Sequence, residues 1–420
     1  MTLIQLILKS ILNRKFTVSL TVLTIALSVT LLLGVERLRT ESRTSFANTL
    51  SGTDLVVGAR SGAIQLLLYS IFRMGDATNN VSWQSYQTII NDPRVAWAVP
   101  LTLGDSHHGF RVMGTTVSYF THYRYGGDHA LRFTSGAPFS QLYDAVLGSD
   151  VAATLGYTLG EEIVIAHGSG NMTLFKHDNK PFTVVGILAK TGTPVDQTVH
   201  VTLEGIEAIH VDWQSGSRPL PGLEVSAQQA AQRDLTPRSI TAILLGVKAK
   251  TTTFKLQRFI NEYPQEPLLA ILPGVALQAL WEMIGVAERA LIAISLFVVM
   301  VGLTSMVAII ITSLGERRRE MAILRSVGAR PAHIILLIVG ESFALALSGA
   351  LFGVLLLYAL LLVAQPLMAA QLGIYIAIGW PTSAEWQLLG AVLGAGLGVG
   401  FVPAYRAYRY SLADGMTIRL

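Results

Sequence analysis

The sequence predicts an α-helical membrane protein with four transmembrane helices and a large mixed α/β extracytoplasmic domain inserted between the first and second. Three observations point there. Of 420 residues, 51% are hydrophobic and only 14% are charged, against about 25% charged in an average soluble domain. Several apolar runs reach the roughly 20 residues that cross a bilayer. Between the first run and the next lies a long block, 36–289, that is polar, turn-rich and nearly balanced in charge, with 20 Lys/Arg against 22 Asp/Glu.

The elements follow in order. Residues 1–15 include LIQLILKSIL, which reads as an interfacial helix or as an extension of the first span. Residues 16–35 are the first span, ending at Glu36-Arg37. The run is longer than a signal-peptide core and SVTLLLGVERL offers no small-residue cleavage pattern, so it reads as a retained anchor. The second span is 290–314 and the third 334–363, with Gln365-Pro366 read as a break. A short outer loop, 364–385, leads to the fourth span, 386–405, and a tail, 406–420.

Lys9, Arg14 and Lys15, the five arginines of 315–333, and Arg406, Arg409 and Arg419 flank the spans on one side, whereas the 364–385 loop has no Lys or Arg. Basic flanks stay in the cytoplasm. Both termini are therefore expected inside and the 36–289 block outside. The surplus of 31 Lys/Arg over 27 Asp/Glu belongs to these inner edges, and this argues for membrane lipid rather than nucleic acid as the partner. Cysteine is absent, which excludes disulfides, thiolate metal sites and cysteine nucleophiles.

Within the block, DLVVG, WAVPLTL, EEIVIAH, FTVVGIL and SITAILLGVKA read as strands. SWQSYQTIINDP and TTFKLQRFINEY read as helices, the first with Ser82 as N-cap. A first lobe, about 51–115 and 236–273, is expected to be interrupted by a β-rich lobe, about 116–235. In DLVVGARSGAIQLLLYSIFRMGD the apolar run reads as core or as a face toward a partner protomer or a ligand. Both edges of the block read as helical stalks. Leu277, Leu280, Trp281, Ile284 and Ala287 recur at helical spacing and run without a break into the second span. Glu36 to Leu50 carries a weaker stripe at Leu38, Phe46 and Leu50.

The densest charge cluster is GERRREMAILRSVGARPAH, 315–333. Its middle can form about three helical turns with Met321, Leu324 and Val327 as an apolar ridge among arginines, ended by Gly328 and Pro331. From charge alone it could be a simple positive-inside anchor. The order of residues says more. Glu316, Arg317, Arg319, Glu320, Ile323, Arg325, Gly328 and Ala329 stand where the loop between spans two and three of FtsX/MacB-type ABC transporter permeases, the mechanotransmission (type VII) superfamily, carries its motif, and the stretch resembles that loop. LLIVGESFALALSGALFGVLL, with Glu341 near its start, resembles the family's third span, and VPAYRAYRYSLADGM its ending. The family's late Pro-x-x-A-L-R pattern is degenerate here as ADGMTIRL.

The resemblance implies a permease subunit rather than an enzyme, with Glu316, Arg317, Arg318, Arg319, Glu320, Met321, Leu324, Arg325 and Gly328 as the surface that couples to an ATPase. The chain has no Gly-Lys dipeptide and so no phosphate-cradling G-x-x-x-x-G-K-[ST]. No cofactor is expected on it; ATP and Mg belong to a partner ABC ATPase dimer. A homodimer or a paired permease would match that two-fold partner, with a periplasmic accessory protein or lipoprotein as a further partner. The implied setting is a bacterial inner membrane, and the implied work is export or extraction of a substrate at its outer face. Ser348, Gly349 and Gly353 are candidates for close helix packing in a dimer. Glu341, about 10 Å into the third span, is a candidate intramembrane functional carboxylate.

Eight of the nine histidines lie in the outer block. His107-His108 beside Asp105, and His122 beside Asp128 and His129, are the candidate metal ligands, although adjacent histidines on a strand point to opposite faces. Two rival functions stay open: a mechanical regulator that relays ATP hydrolysis to an outer partner, and a membrane enzyme or metal-handling protein using Glu341 or the histidines.

Overall fold

The computed structural model describes residues 15–49, 51–168, 175–213, 225–316, 323, 326–372 and 378–409. These divide into two compact units: a helical one, with boundaries at Ser42 and Ile284, and a sheet unit of Arg43–Met283. The 1–14 and 410–420 segments lie outside the described residues.

Helix α1, Lys15–Thr49, opens the helical unit. Ile25, Ala26, Val29, Leu32 and Leu33 are buried, whereas Phe16, Leu20, Leu23, Leu27 and Leu31 are exposed. Three- and four-residue spacing accounts for the buried stripe. The opposite face is just as apolar, which is what a lipid solvent requires and water would penalise. Among the described residues, four helices are long and apolar enough to cross a membrane, with mean hydropathies of 2.3, 2.7, 2.5 and 1.7 along the chain.

The sheet unit lies in sequence between the first and second of these helices. Its elements are β1 (Leu55–Ala59), α2 (Ala63–Ser70), α3 (Trp83–Ile90), β2 (Val95–His107) and β3 (Phe110–Thr115). There follow β4 (Phe133–Gly136), β5 (Asp144–Leu147), β6 (Glu162–Ile163), β7 (Ala166–His167) and β8 (Phe175–Lys176). Then come β9 (Phe182–Leu188), β10 (Thr198–Thr202), α4 (Leu203–His210), β11 (Ala242–Val247), α5 (Thr253–Asn261) and β12 (Leu268–Ile271). The twelve strands form one sheet with the path β12–β1–β11–β2–β3–β10–β5–β9–β4; β7 pairs with β2 and β8, and β6 with β9. Most pairs are antiparallel. The exceptions are β3 with β10 and β5 with β9.

The sheet unit, which the sequence reads as two lobes, packs several apolar clusters on one shared sheet. One cluster, including Leu55, Val57, Ile89, Ile243 and Ile260, lies under the first segment and its return. Another, including Ala145, Val151, Ile163, Phe182 and Val199, belongs mainly to 112–209. A third spans both, from Val56 and Leu66 to Val146 and Val195. Leu66, Leu67, Ile71 and Phe72, from the apolar run after DLVVG, are buried in it. Ser82 caps α3 by accepting a hydrogen bond from the Ser85 amide, which satisfies one of the orphan donors at a helix start.

Among the described residues the helical unit continues with α6 (Pro273–Glu316), α7 (Pro331–Leu372), and α8 (Ser383–Val399) followed after Gly400 by α9 (Phe401–Arg409). α6 is continuous over 44 residues, about 66 Å at 1.5 Å per residue. α7 runs through Pro366, where the sequence reads a break. A proline there lacks one backbone donor, and the two remaining turns sustain the helix without it. In the sheet unit, Phe46 of α1 meets Phe72 at 4.3 Å and Trp281 of α6 at 5.4 Å between ring centroids. Arg43 lies 5.5 Å over the Trp281 ring.

Candidate functional site

Close approach in the helical unit depends on small residues. A Cβ on Gly349 would stand 2.5 Å from Ile25, and one on Gly353 2.8 Å from the Ala26 carbonyl oxygen. Thr30 donates to the Gly353 carbonyl at 2.9 Å, and Ser28 to the Val298 carbonyl at 3.2 Å. Gly396 is equally tight against Ala346, and Gly400 against Ser342. The small residues expected to serve a dimer are therefore engaged within the chain: Gly349 and Gly353 let α7 reach α1. Ser348, between them, is half-buried.

A buried ion pair closes one end of this bundle. Arg37 and Glu385 face each other at 3.3 Å, with 3% and 2% of their side chains exposed. The guanidinium also donates to the Gly379 carbonyl at 2.9 Å and sits 5.6 Å from the Tyr358 ring centre, while Tyr358 donates to the same carbonyl at 2.6 Å. Glu385 is the fourth member of a capping box. Its carboxylate accepts from the Thr382 amide at 2.7 Å, and Thr382 accepts from the Glu385 amide at 3.3 Å. One carboxylate thus caps α8 and holds an arginine of α1. The signal was legible as T-S-A-E ahead of an apolar run, but only the fold reveals its partner. Glu341 is 5% exposed on α7, beside fully buried Ser342.

Of the coupling-loop candidates, Arg317, Arg318, Arg319, Glu320, Met321, Leu324 and Arg325 lie outside the described residues, and Glu316 closes α6. Gly328 has φ +96°, a left-handed conformation that suits glycine after a helix end. Ile323 and Val327 are 61% and 82% exposed.

In the sheet unit the four histidines expected as metal ligands do not gather into one cluster. His107 is buried, with Nδ1 2.7 Å from the Val164 carbonyl and Nε2 3.0 Å from the Tyr157 hydroxyl. His108 occupies the turn between β2 and β3 at φ +47°. His122 stacks on Trp97 at 4.8 Å, and His129 is exposed and bonded to the Gly126 carbonyl. The rings of His107 and His108 meet edge to face at 4.6 Å between centroids, but both ring nitrogens of His107 are already engaged by Val164 and Tyr157.

The histidines that do converge are His167, His177 and His210. One ring nitrogen from each lies within 4.8 Å of the others. Backbone register brings them together. β7 pairs with β2 so that His167 stands opposite Asp105, and β8, paired with β7, leads directly into His177. His210 ends α4. His177 Nε2 is 3.1 Å from His167 Nε2, and His210 Nε2 is 3.4 Å from His167 Nδ1. Asp105 lies 3.1 Å from His167 Nδ1 and 3.7 Å from His210 Nε2. Trp213 covers His167 and His177 at 4.6 and 5.0 Å.

Burial, with the neighbouring imidazoles, pushes His177 down to about 3. Burial also lowers His210, against the pull of Asp105. For Asp105 burial opposes ionisation, but the hydrogen bond to His167 and the surrounding rings outweigh it and hold the carboxyl below its usual range. Beside the cluster, Lys180 and Asp212 form an ion pair at 2.6 Å, 0% and 3% exposed. Asp212 also accepts from the Val225 amide at 3.0 Å. Histidines at 167, 177 and 210 carry no short chelate spacing, and only the hairpin-like A-H-G-S-G-N before F-K-H hinted at the first two.

Comparison with known proteins bears on most of the chain. Residues 18–250 match the family described as MacB-like periplasmic core domain, and residues 291–412 match FtsX-like permease C-terminal. No curated protein matches. Among solved structures, the periplasmic region of MacB from Actinobacillus actinomycetemcomitans is similar at 10% identity and TM-score 0.35, over 55% of this chain and 94% of that one. The extracellular domain of the noncanonic ABC-type transporter YknZ from Gram-positive bacteria is similar at 11% identity and TM-score 0.30, over 52% and 99%. Likeness of that strength adds nothing to the two family matches, and these, with four membrane-length helices around an inserted sheet domain, suffice: the chain belongs to the FtsX/MacB-type permeases of ABC transporters.

Proposed function

We propose that this permease couples ATP hydrolysis on a separate cytoplasmic ATPase to movement of its sheet domain, for export or extraction of a substrate at the outer face of a bacterial inner membrane. FtsX-like permeases work with ABC ATPases. In this reading the ATPase dimer grips the 315–333 loop of two permease copies, or of a permease pair. Both termini then lie in the cytoplasm, as the basic flanks require.

The observation that carries the reading is the continuity of α6. One helix runs from Pro273, directly after β12, to Glu316, the first charge of the loop. A helix without interruption transmits displacement along its axis, whereas a loop would absorb it. The exposed Ile323 and Val327 add apolar surface beside the arginines, the composition expected of a helix that docks in a groove. A periplasmic accessory protein or lipoprotein would receive the motion outside.

The test is co-purification of the ATPase with permease variants. Glu316→Lys and Arg319→Glu are expected each to release the ATPase while the permease stays in the membrane. Retention of the ATPase by both would overturn the coupling assignment. Because the chain has no cysteine, a single Ser326→Cys reports which side the loop occupies: labelling from outside would end the reading.

A further inference from the structure

We propose that His167, His177 and His210 form a binding site for a divalent transition-metal ion of the zinc class on the extracytoplasmic domain, with Asp105 orienting His167. The inference stands on this cluster alone and does not depend on the coupling reading.

Distances fit first. Zinc holds imidazole nitrogen at about 2.0–2.1 Å, so two nitrogens on one tetrahedral ion stand about 3.3 Å apart. His177 and His167 present Nε2 atoms at 3.1 Å, and one nitrogen of each ring lies within 4.8 Å of the other two. Modest ring rotations close the remainder. Three imidazoles suit zinc, copper or nickel, whereas magnesium and calcium take oxygen donors.

The surroundings are those of a supported site. Asp105, 5% exposed, sits 3.1 Å from His167 Nδ1. A carboxylate accepting the Nδ1 proton fixes the tautomer that leaves Nε2 free to bind, the arrangement that commonly stands behind metal-bound histidine. His177 is fixed by backbone bonds: its amide donates to the Ile165 carbonyl, and its carbonyl accepts from the Lys180 amide. The Lys180–Asp212 pair then ties the His177 turn to the segment two residues beyond His210. Register, helix end and ion pair together hold the ligand-bearing segments before any ion arrives.

Access completes the argument. His167 and His210 are each 29% exposed while His177 is buried. One side of the cluster therefore opens outward, leaving room for a water or a substrate group as fourth ligand. That is the pattern of a site that exchanges or presents its ion rather than a closed structural one.

The experiment uses the full chain in detergent, stripped with chelator and titrated with Zn2+ by calorimetry and with Co2+ by visible absorption. One ion per chain, with the intense absorption of tetrahedral cobalt, is expected. His167→Ala and His210→Ala should each weaken binding at least about tenfold, and Asp105→Asn by about ten- to a hundredfold. His108→Ala and His129→Ala should change nothing. Equal binding by the wild type and the His167→Ala/His210→Ala double variant, or no tetrahedral cobalt spectrum, would overturn the site. Should the variants fail to fold, zinc protection of His167 and His210 from diethyl pyrocarbonate in the wild-type chain decides: protection supports the site and its absence refutes it.

Discussion

Among the described residues each unit of the molecule holds a deeply buried ion pair, and the two are built differently. In the helical unit Arg37 meets Glu385 at 3.3 Å and also reaches the Gly379 carbonyl and the Tyr358 ring. In the sheet unit Lys180 meets Asp212 through a single contact of 2.6 Å. The planar guanidinium can serve several acceptors at once, and the ammonium acts as a point charge. The setting explains the choice. Helices in lipid gain little from burying apolar surface, because the tails outside are as apolar as the interior. A branched polar clamp is therefore effective where α1, α7, the 378–382 segment and α8 must be held together. The sheet unit has aliphatic and aromatic clusters to hold it, and its pair need only brace one corner.

The contrast can be broken at three points. Removing one member of the clamp has the largest expected effect: Arg37→Ala strands Glu385 and should cost about 3–5 kcal/mol, read as a lower unfolding midpoint of the full chain in detergent. A loss under about 1 kcal/mol would mean water or lipid headgroups already serve the carboxylate. Next is the cap. Thr382→Ala removes the acceptor for the Glu385 amide and should cost about 1 kcal/mol, with the Arg37 contact intact. Smallest is the brace. Lys180→Met combined with Asp212→Asn keeps an acceptor for the Val225 amide and removes both charges, so stability should stay within about 1 kcal/mol of wild type. A large loss there would place the two pairs in the same class.

Four spans and an inserted domain were legible because membrane crossing imposes length and composition on the sequence itself. Strands such as Phe182–Leu188 were legible too, since their alternate residues are buried and that alternation is written locally. What stayed hidden depended on pairing. Asp105 is visible in the sequence beside His107-His108, yet the structure pairs it across strands with His167, sixty-odd positions on. Strand register is a property of the whole sheet, and no local spacing encodes it. The same holds for Gly349 and Gly353. Their smallness is evident, but whether the approaching helix is α1 of the same chain or a second copy is decided by three-dimensional packing.

The parallel ladder of β3 and β10, Arg111 to Thr115 beside Thr198 to Thr202, carries a consequence for the handling of the domain. It is one of two places at which the 116–235 segment pairs with the rest of the sheet, β7 beside β2 being the other, and each of its strands has a further partner on its other side. Excising the segment as a cassette would bare two raw edges at once, the form of surface that recruits foreign strands and precipitates. Grafts between relatives should therefore carry the ladder whole, with both of its strands taken from one parent.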